Sequence, residues 1–123
     1  LHLEGESTPV YGVSQLLSVI IFNLCDNAIK YNKRGGTVTV RTETTEAGAV
    51  LTVRDTGIGI PEGSQDRIFE RFYRVDKSRS KEVGGTGLGL SIVKHAAILH
   101  HAAIYLESRP NVGTAITVTF PTQ

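Results

Sequence analysis

Apolar residues crowd the chain after Ser14: Leu16, Leu17, Val19, Ile20, Ile21 and Phe22, then Leu24, Cys25, Ala28 and Ile29. The run predicts a helix over 14–32 with Ser14 as its N-cap, and the stretch 16–22 should be core. Lys33-Arg34-Gly35-Gly36 is a helix stop followed by a turn. The period then changes to two. Residues 37–42 alternate and are β-branched, as a half-buried strand requires, and Glu46-Ala47-Gly48 turns the chain into a second strand over 49–54. Ahead of the helix, residues 1–11 form a short alternating strand and a lead-in that Pro9 ends. Beyond residue 55 the pattern predicts a short helix over 66–74 packing through Ile68, Phe69 and Phe72. An aperiodic polar loop over 76–82 follows, then a helix over 91–100 and strands over 102–107 and 114–120.

That order is β, α, β, β, a long glycine-flanked segment, α, β, β. Strict βα alternation is absent, so the expected class is α+β rather than a doubly wound parallel sheet. The architecture would be a two-layer α/β sandwich with a mixed sheet of about five strands, covered on one face by about three helices. No repeat or linker divides residues 1–123, which read as one domain. The segment 57–86 is too long for an ordinary connection and reads as a lid or binding loop.

Composition narrows the field. A chain of 123 residues can bury roughly two thirds of its unfolded surface. A net charge of +1 gives no sequence-independent hold on nucleic acid or anionic lipid. The longest apolar run is far below the span of a membrane helix. One cysteine excludes an internal disulfide, fits a reducing compartment and, as Cys25 within the apolar helix, should pack as a small hydrophobe. Four scattered histidines have no zinc-ligand spacing; His100 and His101 instead end a helix, where imidazoles complement the dipole. The chain starts with Leu1 rather than Met, so it is expected to be a piece of something longer.

Three stretches carry candidate chemistry. Asn23, Asn27 and Lys30 fall within roughly 60° of one another on the first helix, with Tyr31 beside them. Amide oxygens suit a hard cation such as Mg²⁺, an ammonium suits phosphate, and a ring suits a flat base. A capped, satisfied helix end would use the same residues. Asp55 stands at a strand end just before Gly57 and Gly59, where a ligand can approach the backbone closely. Its carboxylate could accept from the exocyclic amine of an adenine, or belong to an ordinary turn. Gly84-Gly85-Thr86-Gly87-Leu88-Gly89 opens a helix and so offers N–H groups to an anion. No Gly-Lys-Ser/Thr follows, so it is not a P-loop, and a charged loop rather than a strand precedes it, unlike a dinucleotide fingerprint. Arg71 and Arg74, one turn apart, would share a solvated face or meet an anion.

Taken together these stretches resemble the four boxes of sensor histidine kinases. Asn23-x-x-x-Asn27-Ala28-x-Lys30-Tyr31 is similar to the N box, and Asp55-x-Gly57-x-Gly59-Ile60 to the G1 box. Ile68-Phe69-Glu70-Arg71-Phe72-Tyr73-Arg74 is similar to the F box, and Gly85-Thr86-Gly87-Leu88-Gly89-Leu90 to the G2 box. The four appear in the family's order across the whole chain, and a phosphate-regulon-sensor-like branch is among those they fit. The resemblance implies a catalytic and ATP-binding domain with the sandwich shared by gyrase, heat-shock chaperone and mismatch-repair ATPases. It implies Asp55 on the adenine amine, Tyr31 against the ring, and Asn27 with Asn23 on Mg²⁺. Lys30 and Arg74 would touch phosphate, with Arg71, Gly57, Gly59 and Ile60 also at the nucleotide. The backbone of Gly85, Thr86, Gly87, Leu88 and Gly89 would close over the phosphates as an ATP lid.

Activity would be transfer of the ATP γ-phosphoryl to a histidine on a separate dimerisation and phosphoacceptor domain. A cognate response regulator would lie downstream. The full protein is expected to be a membrane-anchored homodimer and this domain its soluble, monomeric, cytoplasmic part. None of the histidines here has the acceptor context: His95 is followed by Ala96-Ala97-Ile98. Two departures stand out. Val13 replaces the acidic residue that often opens the first helix, and His101-Ala102 stands where a glycine is usual, so a histidine would have to supply any positive φ there. Three rivals share the boxes: a hydrolytic ATPase of the gyrase branch, a serine kinase of the anti-sigma type, and a nucleotide-binding module without activity. Asn23 replaces the Glu of the hydrolytic branch, and an amide cannot take a proton from water.

Overall fold

Two periods in the sequence become two layers. The computed structural model describes residues 2–5, 14–46, 48–65, 67–70 and 89–121. The period-two stretches form strands β1 (His2–Gly5), β2 (Val38–Thr45), β3 (Gly48–Asp55), β4 (Ala103–Arg109) and β5 (Gly113–Pro121). The helices are α1 (Ser14–Lys30), α2 (Glu62–Gln65) and α3 (Gly89–Leu99). The sheet has the order β1-β2-β3-β5-β4. β1 runs parallel to β2 and the other neighbours are antiparallel, so the sheet is mixed as expected. α1 and α3 pack on each other and on one face of the sheet. No described helix is long and apolar enough to cross a membrane.

The helix period decides which part of the apolar run is buried. Ile20, Leu24 and Ala28 lie at i, i+4 and i+8 and are essentially buried. They meet Val40, Leu51, Val53, Ile116 and Val118 from the sheet and Val93 and Ala96 from α3, with Leu17 and Cys25 partly buried beside them. Ile21 and Phe22 are instead 46% and 67% exposed. The expectation that the whole stretch 16–22 is core is thereby corrected, because consecutive apolar residues wrap round a helix and only one stripe faces the sheet. Burial raises the Cys25 thiol pKa.

A short helix stands just before the stretch 66–74 predicted as one, of which residues 66 and 71–74 lie outside the described residues. Pro61 opens it, its carbonyl accepting from Ser64 N–H at 2.9 Å, and α2 covers Glu62–Gln65. Residues 67–70 continue as separate turns, Arg67 N–H to Ser64 and Glu70 N–H to Arg67, both 2.9 Å, rather than as helix. Ile68 is buried and Phe69 partly buried. Val13, the F-box residues Arg71 and Arg74, the lid residues Gly85, Thr86, Gly87 and Leu88, and the loop 76–82 lie outside the described residues.

α3 closes with a histidine in the left-handed region. His101 has φ 56. Its N–H bonds Ile98 O at 3.1 Å and Ala102 N–H bonds Ala97 O at 2.8 Å, the paired bonds of a Schellman motif whose usual αL residue is glycine. His100 caps the same end, with Nδ1 2.8 Å from Ala96 O. Left-handed backbone costs a residue with a Cβ about 1–2 kcal/mol. A glycine gives back roughly 0.4–1 kcal/mol through its freer unfolded chain. His101→Gly is therefore expected to stabilise the fold by about 0.5–1 kcal/mol, a rise of a few degrees in a calorimetric melt. An unchanged or lower melting temperature would show that the histidine is not strained.

Candidate functional site

On the helix-facing side of the sheet the middle rows are apolar except for Thr42 of β2. Val40, Val53, Ile116 and Leu106 lie side by side across β2, β3, β5 and β4, and Leu51, Val118 and Ile104 form the next row. One step the other way the row reads Val38, Asp55, Thr114 and Ser108. Three polar side chains thus occupy consecutive strands, one row beyond the core residues Val53 and Ile116.

Asp55 is half-buried there. One of its oxygens, Oδ1, accepts from Gly57 N–H at 2.9 Å and from Thr114 N–H at 3.3 Å. Burial pushes its pKa above the ordinary carboxylate value, and those two N–H groups pull it part of the way back. The other oxygen has no hydrogen-bond partner among the described residues. A half-buried carboxylate with one oxygen committed and the other open is suited to accept from a ligand's amine.

The loop after Asp55 is fastened on both sides. Towards α1, Ile58 N–H reaches Tyr31 O at 3.2 Å and Thr56 N–H reaches Thr37 O at 3.1 Å. Thr56 Oγ1 accepts from Thr37 N–H at 2.8 Å, and Asn32 Nδ2 donates to the same Thr37 O at 2.8 Å. Gly57 is needed for this approach, since a Cβ there would lie 2.3 Å from Tyr31 O. Towards β4, Ile60 N–H donates to Ser108 Oγ at 2.8 Å and Ile60 O accepts from Gln65 Nε2 at 2.9 Å. Gly59 has φ +71, and a Cβ on it would meet Arg109 O at 2.1 Å. Asn111 N–H bonds Ile58 O at 2.7 Å, while Lys33 Nζ donates to Asn111 O at 2.8 Å.

The structure therefore brings Asp55, Gly57, Gly59 and Ile60 against the end of α1 at Tyr31. Along α1, Asn27 is partly buried and its side-chain amide makes no hydrogen bond to the described residues. Asn23 donates Nδ2 to Val19 O at 2.8 Å. Its Oδ1 faces the start of α3, where a Cβ on Gly89 would come within 3.1 Å of it. Lys30 is paired: Nζ is 3.0 Å from Asp26 Oδ2, an i,i+4 pair about one third exposed on each side. Among the described residues no three His, Cys, Asp or Glu side chains cluster as metal ligands. A cation at this edge would be met by amide oxygens, of which Asn23 turns one towards Gly89. That donor type fits Mg²⁺ when a phosphate supplies further oxygens.

Sequence reasoning missed Thr114, Ser108, Gln65, Thr56 and Asn32. Two of them leave a readable trace. Leu106 and Ile104 alternate inward along β4, as do Ile116, Val118 and Phe120 along β5, and a polar residue then takes the inward position at Ser108 and Thr114.

The chain matches the family of histidine kinase-, DNA gyrase B- and HSP90-like ATPases over residues 12–123. It is 46% identical over 112 residues to the sensor-like histidine kinase SenX3 of Mycolicibacterium smegmatis, covering 91% of this chain and 29% of that protein. It is 48% identical over 98 residues to the phosphate regulon sensor protein PhoR of Pseudomonas aeruginosa, covering 80% and 22%. The solved mycobacterial sensor histidine kinase MprB superposes with a TM-score of 0.83 at 37% identity, over 98% of this chain and 82% of that one. The ATP binding domain of PrrB from Mycobacterium tuberculosis superposes at 0.72 with 28% identity, over 100% and 81%. The chain spans less than a third of the length of these curated relatives.

The environment of Asp55 sets a pH signature. Its native pKa lies above the ordinary 3.8, so between the two values the folded state binds more protons than the unfolded one. Stability then falls as pH rises through that window, and at neutral pH the charged carboxylate is at its destabilising end. Asp55→Asn keeps an acceptor for Gly57 and Thr114 without the charge. The variant is expected to melt above the wild type at neutral pH, with the gap closing as pH falls to 3.8. Melting curves across that range check it; a variant less stable at neutral pH would show the two N–H bonds outweighing desolvation.

Proposed function

We propose that this chain, which belongs to the histidine kinase-, DNA gyrase B- and HSP90-like ATPase family as an ATP-binding catalytic domain of a sensor histidine kinase, takes the adenine of ATP at Asp55 and presents the γ-phosphoryl to a histidine of a separate domain. The observation that carries this reading is the polar row at the end of the sheet. Asp55 there has one oxygen tied to Gly57 and Thr114, and the following loop is fastened to Tyr31 and Ser108. The open carboxylate oxygen accepts from the adenine amine and Tyr31 flanks the ring. Gly57 and Gly59 let the base approach the backbone, beside Ile60.

The phosphates then run along α1 towards the start of α3. Lys30 leaves Asp26 or shares it to meet them, and Gly89 with Gly85, Thr86, Gly87 and Leu88 offers backbone N–H groups from the lid. Arg71 and Arg74 approach from the F box. Asn27 and Asn23 would hold Mg²⁺, which would supply neutralisation of phosphate charge. This chain's part in the transfer is positioning and charge stabilisation. The γ-phosphorus leaves its bridging oxygen for a ring nitrogen of the acceptor histidine, and ADP is released.

The acceptor lies on the dimerisation domain of a longer protein, a homodimer anchored in the membrane with this domain as a soluble, monomeric unit in the cytoplasm. A response regulator receives the phosphoryl group next. Support comes from relatives named as sensors of which the chain spans less than a third. Residues 1–123 form the catalytic domain alone.

Two measurements test this. Asp55→Asn replaces an acceptor by an amide that also donates. It is expected to weaken ADP binding by about ten- to a hundredfold in calorimetry, the worth of roughly 1.5–3 kcal/mol for a hydrogen bond to a charged group. With radiolabelled ATP the chain alone should neither label itself nor release phosphate briskly. Adding the acceptor domain in trans should yield slow labelling of that domain, which Arg74→Ala reduces more than it reduces nucleotide binding. Brisk phosphate release by the chain alone would favour a hydrolytic ATPase, and labelling of a serine on a partner would favour the anti-sigma type of kinase.

A further inference from the structure

We infer that Ser108 is a positioning residue for the base: its hydroxyl couples the Ile60 loop to the Asp55 carboxylate and so governs how strongly the site prefers adenine to guanine. The inference rests on the adenine-nucleotide reading above. Ser108 is the inward polar residue of β4, following Ile104 and Leu106 on the same side. Its Oγ lies within hydrogen-bond distance of three groups, Ile60 N at 2.8 Å, Thr114 Oγ1 at 2.8 Å and Gly113 O at 3.2 Å.

A serine hydroxyl has one hydrogen and two lone pairs. Ile60 N–H takes one lone pair. If the hydrogen goes to Gly113 O, Thr114 must donate to Ser108, and Thr114 then offers only lone pairs to its surroundings. If the hydrogen goes to Thr114, the threonine's own hydrogen is released. The polarity that Thr114 presents next to Asp55 is thus set by Ser108. Thr114 is the cross-strand partner of Asp55, and its N–H holds Asp55 Oδ1.

The same hydroxyl fixes the loop. Ile60 is held at N–H by Ser108 and at its carbonyl by Gln65 Nε2, which also reaches Ser108 O at 3.2 Å. The other end of that loop, Gly57, donates to the same Asp55 oxygen. Ser108 therefore touches the far end of this loop at Ile60 and, at Thr114, the residue whose N–H holds the same carboxylate oxygen that Gly57 does. Discrimination needs such rigidity. Adenine puts a donor amine where guanine puts a carbonyl, and a carboxylate rejects the carbonyl only if it cannot swing away or admit water.

Calorimetric titration of ADP and GDP into the wild type, Ser108→Ala, Ser108→Thr and Gln65→Ala, with a melting curve for each, decides it. Ser108→Ala leaves Ile60 N–H unpaired. It is expected to weaken ADP binding about tenfold and to narrow the ADP-over-GDP preference several-fold. Ser108→Thr keeps the hydroxyl and should restore most of both, while Gln65→Ala should narrow the preference less than Ser108→Ala does. A Ser108→Ala protein with a shifted melting temperature but an unchanged ADP-to-GDP ratio overturns the inference, because a purely structural serine would behave that way. If Ser108→Ala does not fold, Gln65→Ala carries the decision, and an unchanged ratio there overturns it equally. If the wild type prefers ADP and Asp55→Asn abolishes that preference while the Ser108 and Gln65 variants keep it, this inference falls and the proposed function stands. A wild type that binds neither nucleotide removes both.

Discussion

A carboxylate set half inside an apolar layer must be held there, and Asp55 is held through one oxygen by the backbone N–H groups of Gly57 and Thr114. Desolvation still wins over those bonds, since the pKa remains raised. The site is thus built at some cost to stability, as functional sites commonly are. Gly57 can bear no Cβ because the loop that returns its N–H to Asp55 runs against the carbonyl of Tyr31. Ser108 and Gln65 hold the far end of that loop to the edge strand. Altering any of these contacts alters where the open oxygen points.

The fold supplies the rigidity this requires. β3 lies between β2 and β5, so Asp55 at its end is located by hydrogen-bond ladders on both sides. α1 rests on that sheet through Ile20, Leu24 and Ala28, and its last turn is tied to β2 and β3 by Asn32, Thr37 and Thr56. The packing of α1 on α3 then brings Asn23 to Gly89. Base and phosphate parts of the proposed site are therefore both carried by the second half of α1, from Tyr31 just past its end back to Asn23, and by regular elements whose positions packing fixes.

Much of this was legible in the residues. Asn23, Asn27, Lys30 and Tyr31 declare themselves because amides are unusual on a core helix, and Asp55 because glycines follow it at once. His101 was legible too, as a residue with a Cβ where the chain turns left-handed. Other features needed three dimensions. The exposure of Phe22 depends on where the sheet lies relative to the helix, which composition does not reveal. The Lys30–Asp26 pair follows i,i+4 spacing and is readable from the sequence alone. Ser108 and Thr114 matter through strand register, and register joins residues that lie far from Asp55 in sequence.

The most direct measurement is a crystal structure of the chain with ADP. The exocyclic amine of adenine is expected within hydrogen-bond distance of the Asp55 oxygen that is open here, with the other oxygen still on Gly57 and Thr114 and the ring beside Tyr31. A base bound elsewhere, or an Asp55 carboxylate turned away from Gly57 and Thr114 when the base is in place, would contradict the central role given to that half-buried charge.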